Sequence, residues 1–201
     1  RRCVADHRIA VQTVSHPTGA SMADLMAAVP DILNAPVTDA PISTLCYRET
    51  FGARTFVDEL SLDQLNGVHR DRWREHAWLR RDDGTPDPRI QVSILPRRTY
   101  DAVVGRHDAS DLHPGDTIIA DMNMTEANLT TGTLIGAGTA VLRVSDVFND
   151  GCVKWRARYG DTAKEWINLP DHIPLRLRGV LCEIVQSGTV KITDRLIKLP
   201  A

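Results

Sequence analysis

Short runs in which apolar and polar residues alternate dominate this chain, and they predict a protein built mainly of β-strands. Leu45 and Tyr47, for example, alternate with polar or small neighbours, and β-branched residues fill most of the other runs. The predicted strands are centred on residues 9–13, 45–47, 90–94, 118–119, 141–144, 180–185 and 190–192. Turns rich in glycine and aspartate separate them, such as Pro114-Gly115-Asp116. Many short strands with few helices between them favour a β-barrel.

Three segments repeat apolar residues at helical spacing instead. The first follows Ser21 as N-cap, with Asp24 at the capping-box position, and is expected to end at or close to Pro30. The other two helices are predicted from Pro96 to Gly105 and from an N-cap at Asp161 to Ile167.

Composition narrows the class of protein. The 201 residues, 42% hydrophobic and 25% charged, are typical of a globular domain with a buried core. The formal net charge of −2 gives no electrostatic argument for binding nucleic acid or a membrane, and no apolar run is long enough for a transmembrane helix. The expected partner is a small molecule, and the oligomeric state stays open. We interpret residues 1–40 as a β-α extension packed on a barrel formed by residues 41–201.

The four cysteines form no CxxC pair, and no histidine stands at a zinc-ligand spacing from any of them. The N-terminus lacks the apolar stretch of a signal peptide, so we expect reduced thiols and a cytoplasmic protein. Cys3, Cys46 and Cys182 are interpreted as structural.

The segment that begins at Cys152 carries the most chemistry. Cations follow the cysteine at every second position, at Lys154, Arg156 and Arg158. In a strand, these residues would share one face with Cys152, whereas in a helix Cys152 and Arg156 would pair at i, i+4. Either geometry places cations near the thiol.

Nearby cations favour the thiolate, which is the form of cysteine that attacks electrophiles and binds soft metals. Guanidinium groups also bind phosphate or carboxylate with two hydrogen bonds. The segment is therefore interpreted as a thiolate beside an anion pocket. The alternative is a solvated basic segment with one buried cysteine, which the spacing alone favours.

Two further clusters are candidates. Residues 67–74 combine His69, Arg70, Asp71, Arg72 and Trp73 and suggest anion binding, or else a charged surface turn. Residues 124–132 contain polar side chains that could bind a ligand or simply hold a loop together.

The order of these segments resembles the MOSC domain, the module named for the C-terminal part of molybdenum cofactor sulfurase. Residues 67–73 resemble the family's Gly-x-x-Gly-Asp-x-Trp segment, and Cys152 falls where the family carries its characteristic cysteine. Residues 89–95, 126–129 and 136–144 resemble three further family segments in the same order. The tail, residues 175–180 and 188–190, resembles that of small stand-alone MOSC proteins of bacteria, and the likeness spans about residues 40–195. The sequence departs from the pattern at Arg70, which replaces the second glycine, and at Pro96, which replaces an expected polar residue.

The resemblance implies a mainly β, MOSC-type barrel with a few short helices, and a pocket that binds molybdenum cofactor. It implies that Cys152 is the metal or sulfur ligand, that Lys154 and Arg158 contact an anionic group, and that Asp71 orients an arginine or contacts the ligand. These four are the candidate catalytic residues. The candidate cofactor-binding residues are Arg70, Arg72, Gln91, Arg98, Glu126, Asn128, Arg156 and Arg178.

Three functions follow as hypotheses. The first is binding of molybdenum cofactor, in support of sulfur transfer or reduction, as a sulfurtransferase or a molybdenum-dependent oxidoreductase. The second is a metal-free enzyme of small-molecule metabolism that uses the Cys152 thiolate, with His69 as the best-placed base among His76, His107, His113 and His172. The third is a non-catalytic ligand-binding barrel.

Overall fold

The computed structural model describes residues 19–105 and 113–200. The strands are β1 (Asp39–Tyr47), β2 (Thr55–Phe56), β3 (Glu59–Asp63), β4 (Gly67–Val68), β5 (Val92–Pro96), β6 (Ile118–Ala120), β7 (Leu134–Ala137), β8 (Ala140–Val144), β9 (Val180–Gln186), β10 (Gly188–Lys191) and β11 (Arg195–Lys198). The α-helices are α1 (Met22–Leu33), α2 (Trp73–His76), α3 (Arg97–Val104) and α4 (Val153–Ile167). Short 3-10 helices cover Pro88–Ile90 and Pro170–Leu175.

Seven of the described strands close into a barrel. Their order around the ring is β1, β11, β7, β8, β9, β5 and β6, and β6 returns to pair with β1. Strands β5 and β6 run parallel, because α3 forms the crossover between them, and the other pairs in the ring are antiparallel. The register shifts by one residue in β1, where it pairs with β6, and in β9, where it pairs with β8; such bulges let a sheet bend. Strands β10, β3 and β4 form a separate small sheet.

Alternation along the strands divides the apolar residues between two cores. Ile94 and Ile118 point into the barrel, whereas their neighbours Leu95 and Ile119 point outwards and pack against α1, α3 and α4. Strands β5 and β6 are therefore buried on both faces, which explains their continuous apolar sequences. Helices α1, α3 and α4 cover one side of the barrel, and this packing fixes the position of α4.

Helix α1 confirms the predicted N-terminus and corrects the predicted end. The Ser21 side chain accepts a hydrogen bond from the Asp24 backbone, and the reciprocal bond of the capping box is present. The prediction that the helix ends at or close to Pro30 is wrong, because the helix continues to Leu33. Two contacts offset the donor that proline lacks: Ile32 is buried against the barrel, and Arg98 donates to the backbone oxygen of Asp31 at 2.8 Å.

Helix α3 lies where the sequence predicts it, with Pro96 at its N-cap and Gly105 at its C-cap. Helix α4 differs from its prediction. It begins directly after Cys152, so the basic segment is helical, and it is broken at Gly160, whose φ is +91°. The sequence predicts that a helix begins after an N-cap at Asp161. In the structure the non-helical residue that separates the two parts of α4 is Gly160, one position earlier.

The strand predictions outside the N-terminus match β1, β5, β6, β8, β9 and β10. Three predicted strand residues lie outside these strands: residue 90 ends a 3-10 helix, residue 91 follows that helix, and residue 192 comes after the end of β10. The strand predicted at residues 9–13, Cys3 and His107 lie outside the described residues. The division at residue 40 stays a prediction. In the described ranges, no helix has the length and apolar character that crossing a membrane requires.

Arg98 has a clear structural role that its predicted part in ligand binding did not anticipate. Its guanidinium binds Asp121 at 2.7 Å and Asp31 at 2.9 Å, and so it joins α1 and α3 to the segment after β6. We predict that Arg98→Ala lowers the free energy of unfolding by about 1–3 kcal/mol, since charged hydrogen bonds to partly buried groups are lost.

The neighbouring arginine provides the control. Arg97 pairs with Asp101 at an exposed i, i+4 position, so Arg97→Ala is expected to cost less than about 0.5 kcal/mol. Urea unfolding of both variants measures the difference, and equal losses would contradict the role assigned to Arg98.

Candidate functional site

Cations from four parts of the chain converge where α4 begins. Arg72 and Lys154 both lie over the ring of Phe51, at 4.1 and 5.3 Å from its centroid. Arg48 and Arg54 both flank Gly115 in the turn before β6. We call this group the basic site and define it as Arg48, Arg54, Arg72, Lys154, Arg158 and Arg178, together with the carboxylates of Asp71 and Asp116.

Asp71 holds Arg48 in place. Its carboxylate accepts hydrogen bonds from the Arg48 backbone at 2.9 Å, from Arg48 Nε at 3.1 Å and from the Trp73 backbone at 2.9 Å. The Asp71 side chain is 1% exposed, so these bonds satisfy a carboxylate that water does not reach. Its contacts support the orienting role predicted for it, although the arginine that it orients is Arg48.

Asp116 holds Arg178 in the same way. Arg178 Nη1 donates to Asp116 Oδ1 at 2.8 Å, and the guanidinium lies over the ring of Trp155 at 4.8 Å. Burial disfavours the charge of Arg178, but the charge and hydrogen bond of Asp116 outweigh burial, so the pKa of Arg178 is raised. This ion pair therefore keeps a buried cation charged beside α4.

The remaining cations of the site are crowded. Burial, followed by the charge of Arg72, lowers the pKa of Lys154. Burial also lowers the pKa values of Arg54, Arg72 and Arg158, and for Arg54 the charge of Arg158 adds to the effect. Positive charges thus repel one another here, and an anion between them would relieve that repulsion.

Several buried polar atoms of the site have no hydrogen-bond partner among residues 19–105 and 113–200. They are Arg54 Nε, Arg72 Nε, Arg178 Nε, Asp116 Oδ2 and His113 Nε2. Leaving a buried donor unpaired costs about 1–3 kcal/mol. The three guanidinium nitrogens are donors, so each lacks an acceptor within the described residues.

Cys152 stands at the edge of this site as the N-cap of α4. The amide of Asn168 fixes the chain just before it, because its Oδ1 accepts from the Gly151 N–H at 2.9 Å and its Nδ2 donates to the Gly151 oxygen at 3.0 Å. The Cys152 side chain is exposed and lies close enough to Lys154, Arg158 and Arg178 to interact with them electrostatically. The helical geometry thus brings the thiol, Lys154 and Arg158 together.

Two candidate residues near the site point elsewhere. Arg156 is exposed and its Nε lies 3.7 Å from Asp161, so it faces solvent beyond the basic site. Arg70 forms an exposed ion pair with Glu49, and its guanidinium lies 5.1 Å from the Tyr47 ring centroid. Arg70 has a φ of +65°, which confirms that this position requires the conformation that glycine adopts most easily.

The other candidates make contacts in other parts of the fold. The amide of Gln91 donates to the Gln64 oxygen and accepts from the Ile184 N–H, and the residue is fully buried. The amide of Asn128 donates to the Asn123 oxygen at 2.7 Å and holds a loop together. Glu126 is exposed beside it. Gln91, Asn128 and Arg98 thus join segments of the fold.

Sequence reasoning missed Arg48, Arg54 and Asp116, which no motif singled out for this site, and it gave His113 only as one of five scattered candidate bases. His113 is 2% exposed, and its Nδ1 accepts the Gly115 N–H at 3.0 Å, so in the neutral ring the proton lies on Nε2. Burial lowers the pKa of His113 to about 4; the charge of Asp116 opposes this, whereas Arg54, Arg158 and Arg178 add to it.

The remaining described cysteines are structural. Cys46 and Cys182 are buried, and burial raises the pKa of the Cys46 thiol to about 11 and that of Cys182 to about 12. Both therefore remain protonated at neutral pH, unlike a thiol prepared for nucleophilic attack.

Comparison with known proteins supports the fold. No family model and no curated protein matches the sequence. Among solved structures, one described only as a hypothetical protein has a TM-score of 0.57 at 22% identity, over 81% of this chain and 69% of the other. YiiM from Escherichia coli has a TM-score of 0.54 at 18% identity, over 81% of this chain and 70% of its own.

YuaD from Bacillus subtilis also has a TM-score of 0.54, at 17% identity, over 79% of this chain and 94% of its own. At these identities the likeness shows the fold alone. The predicted mainly β, MOSC-type barrel with short helices is confirmed.

The strain at Arg70 can be measured. We predict that Arg70→Gly is more stable than Arg70→Ala by about 1–2 kcal/mol, because both variants lose the contacts with Glu49 and Tyr47 but only glycine removes the left-handed strain. Urea unfolding measures this difference, and equal stabilities would show that Arg70 is not strained.

The low pKa of His113 predicts a loss of stability in acid. The unfolded chain binds a proton at this histidine near pH 6.5, whereas the folded protein binds it only near pH 4, so protons favour unfolding in that window. Between pH 7.5 and pH 5, the free energy of unfolding should fall by about 2 kcal/mol on account of His113.

His113→Asn is the control, because the asparagine oxygen can still accept from the Gly115 N–H but cannot titrate. Urea unfolding of both proteins at the two pH values should show the smaller fall in the variant. Parallel falls would mean that His113 takes up its proton equally in both states.

Proposed function

We propose that this chain is a MOSC-fold protein that binds an anionic ligand in the basic site, with the Cys152 thiolate at its edge. The observation that carries this proposal is the imbalance of charge. The two buried carboxylates each hold one arginine, which leaves Arg54, Arg72, Lys154 and Arg158 without a carboxylate of that kind within the described chain.

Oxyanions fit this arrangement in charge and in geometry. A phosphate or carboxylate accepts several hydrogen bonds at once, and guanidinium groups present their N–H donors in a planar fork that matches it. Binding would also reduce the repulsion from Arg72 that, after burial, lowers the pKa of Lys154.

The proposed ligand is molybdenum cofactor, and the residues present suit it in two respects. Arg72, Lys154 and Arg158 would hold its phosphate, and the Cys152 thiolate is a soft ligand for its metal. No group of three His, Cys, Asp or Glu side chains in the described residues could hold a bare metal ion, so the metal would have to bring ligands of its own. When bound, such a cofactor supplies a metal centre for reduction or sulfur transfer.

A metal-free enzyme that uses Cys152 as nucleophile or sulfur carrier is the second candidate. The exposed thiol beside Lys154 and Arg158 favours it, because cations favour the attacking thiolate. In the described part of the chain, however, no hydrogen bond joins a histidine to Cys152. His69 is exposed, and its backbone N–H donates to Ser61 of β3. Both candidates suit a cytoplasmic location, where thiols stay reduced.

Alkylation of Cys152 tests the anion site directly. We predict that inorganic phosphate slows the reaction of Cys152 with iodoacetamide, because the phosphate would bind beside the sulfur and screen its cations. Lys154→Gln and Arg158→Gln should each weaken this protection about fivefold or more, as expected for one charged hydrogen bond. Peptide-resolved mass spectrometry distinguishes Cys152 from the buried cysteines.

Arg156→Gln is the matched control, because Arg156 lies on the same helix but faces Asp161 and solvent. Alkylation that phosphate does not slow would refute the anion site. The same proteins, expressed in a host that makes molybdenum cofactor, decide between the two candidates. Molybdenum and pterin near one per chain, lost in Cys152→Ala, support cofactor binding, whereas phosphate protection without either supports the metal-free enzyme.

A further inference from the structure

A small recess adjoins the basic site. Arg48, Asp71 and Arg72 form its charged side, and the recess has a volume of about 50 Å³. Aromatic and apolar side chains form most of its remaining wall, namely Trp73, His76, Ala77, Trp78, Ile90 and Leu181, with Ser93 as a polar member. Arg48 and Arg72 thus belong both to the anion site and to an apolar cavity.

Two large aromatic side chains beside this recess are exposed to an unusual extent. Trp78 is 68% exposed although it lines the recess, and Phe51 is 54% exposed although its ring contacts Arg72 and His76. Trp73 differs from them, because it is buried and its Nε1–H donates to the Asp87 oxygen at 3.1 Å. Trp73 therefore stabilises the fold, whereas the faces of Trp78 and Phe51 are available to a ligand.

The arginines that join the two regions are held rigidly. Asp71 binds the Arg48 guanidinium at two of its nitrogens, and the Phe51 ring packs on the guanidinium of Arg72. An anion bound by Arg72 would therefore lie beside the recess, because Arg72 lines it. Whatever is attached to that anion would extend along the aromatic wall.

We propose that the recess recognises a planar aromatic group that is attached to the anion bound in the basic site, and that Trp78 determines this specificity by stacking on it. The ligand class is an aryl or heteroaryl phosphate or carboxylate. This inference rests on the proposed anion site and adds the protein surface that would contact the uncharged part of the ligand.

The recess is large enough to hold one edge of a single aromatic ring. Its volume of about 50 Å³ is several times what one water molecule requires, yet it is smaller than a cavity of about 150 Å³ that encloses benzene completely. One edge of a ring would enter the recess, and the exposed face of Trp78 would cover the remainder. Offset stacking and loss of apolar surface from water both favour this arrangement.

Three phosphate esters test the inference, with protection of Cys152 from iodoacetamide as the readout. Phenyl phosphate should protect at concentrations about five- to tenfold lower than methyl phosphate, the ratio expected for one stacked ring. Cyclohexyl phosphate has a similar apolar area without a planar face, and it should fall between the two.

Variants of Trp78 assign the preference to its ring. Trp78→Ala should reduce the ratio of phenyl to methyl phosphate to about twofold or less, whereas Trp78→Phe should retain most of it. Leu65→Ala removes another strongly exposed apolar side chain, 83% exposed in the turn between β3 and β4, and should leave the ratio unchanged.

The possible failures are distinguishable. Equal protection by phenyl, cyclohexyl and methyl phosphate, or a phenyl preference that survives in Trp78→Ala, would overturn this inference and leave the anion site standing. Protection by none of the esters and none by inorganic phosphate would refute the anion site as well.

Discussion

The arrangement of this site depends on two buried carboxylates that each fix one arginine in a region of surplus positive charge. Asp71 and Asp116 are almost fully buried, and each holds a guanidinium, of Arg48 and Arg178 respectively. Removing one partner of such a pair leaves an uncompensated buried charge. The loss of either partner would therefore destabilise the fold. The other cations of the basic site have no equivalent partner in the described chain, and their charge is therefore left for a ligand to balance.

The closed barrel brings these charges together. Arg48 follows the end of β1, Asp116 precedes β6, and β1 and β6 are neighbours in the ring, so two residues 68 positions apart in the sequence lie at one place. Arg178 precedes β9, which pairs with β5 next to β6. Helix α4 then lays Lys154 and Arg158 across the same end. Because a closed sheet has no free edge, these strand ends cannot shift independently, and the site is held at a fixed geometry.

The local part of this arrangement was predictable and the remote part was not. Cys152, Lys154 and Arg158 lie within one short segment, so either a strand or a helix would bring them close together. The pairing of Arg48 with Asp71, across 23 positions, and of Arg178 with Asp116, across 62, depends on strand order, which alternation of apolar residues does not reveal. The resemblance suggested Gln91, Arg98 and Asn128 as ligand contacts, and in the structure their side chains satisfy backbone or carboxylate groups within the fold. Pro30 likewise stays inside a helix, because packing of Ile32 and a bond from Arg98 outweigh the missing donor.

The same balance explains why strain and unpaired donors occur together at one end of the barrel. Arg70 holds a left-handed backbone next to Asp71, and Arg54, Arg72 and Arg178 leave buried nitrogens without acceptors. Each such feature lowers the free energy of unfolding by about 1–3 kcal/mol. That loss is a large fraction of the free energy of unfolding of a typical domain. The extensive cores on the two faces of β5 and β6 offset that cost without involving the site itself. An anion that binds beside these cations would then interact with groups that the fold has already oriented, so little ordering cost would remain at the moment of binding.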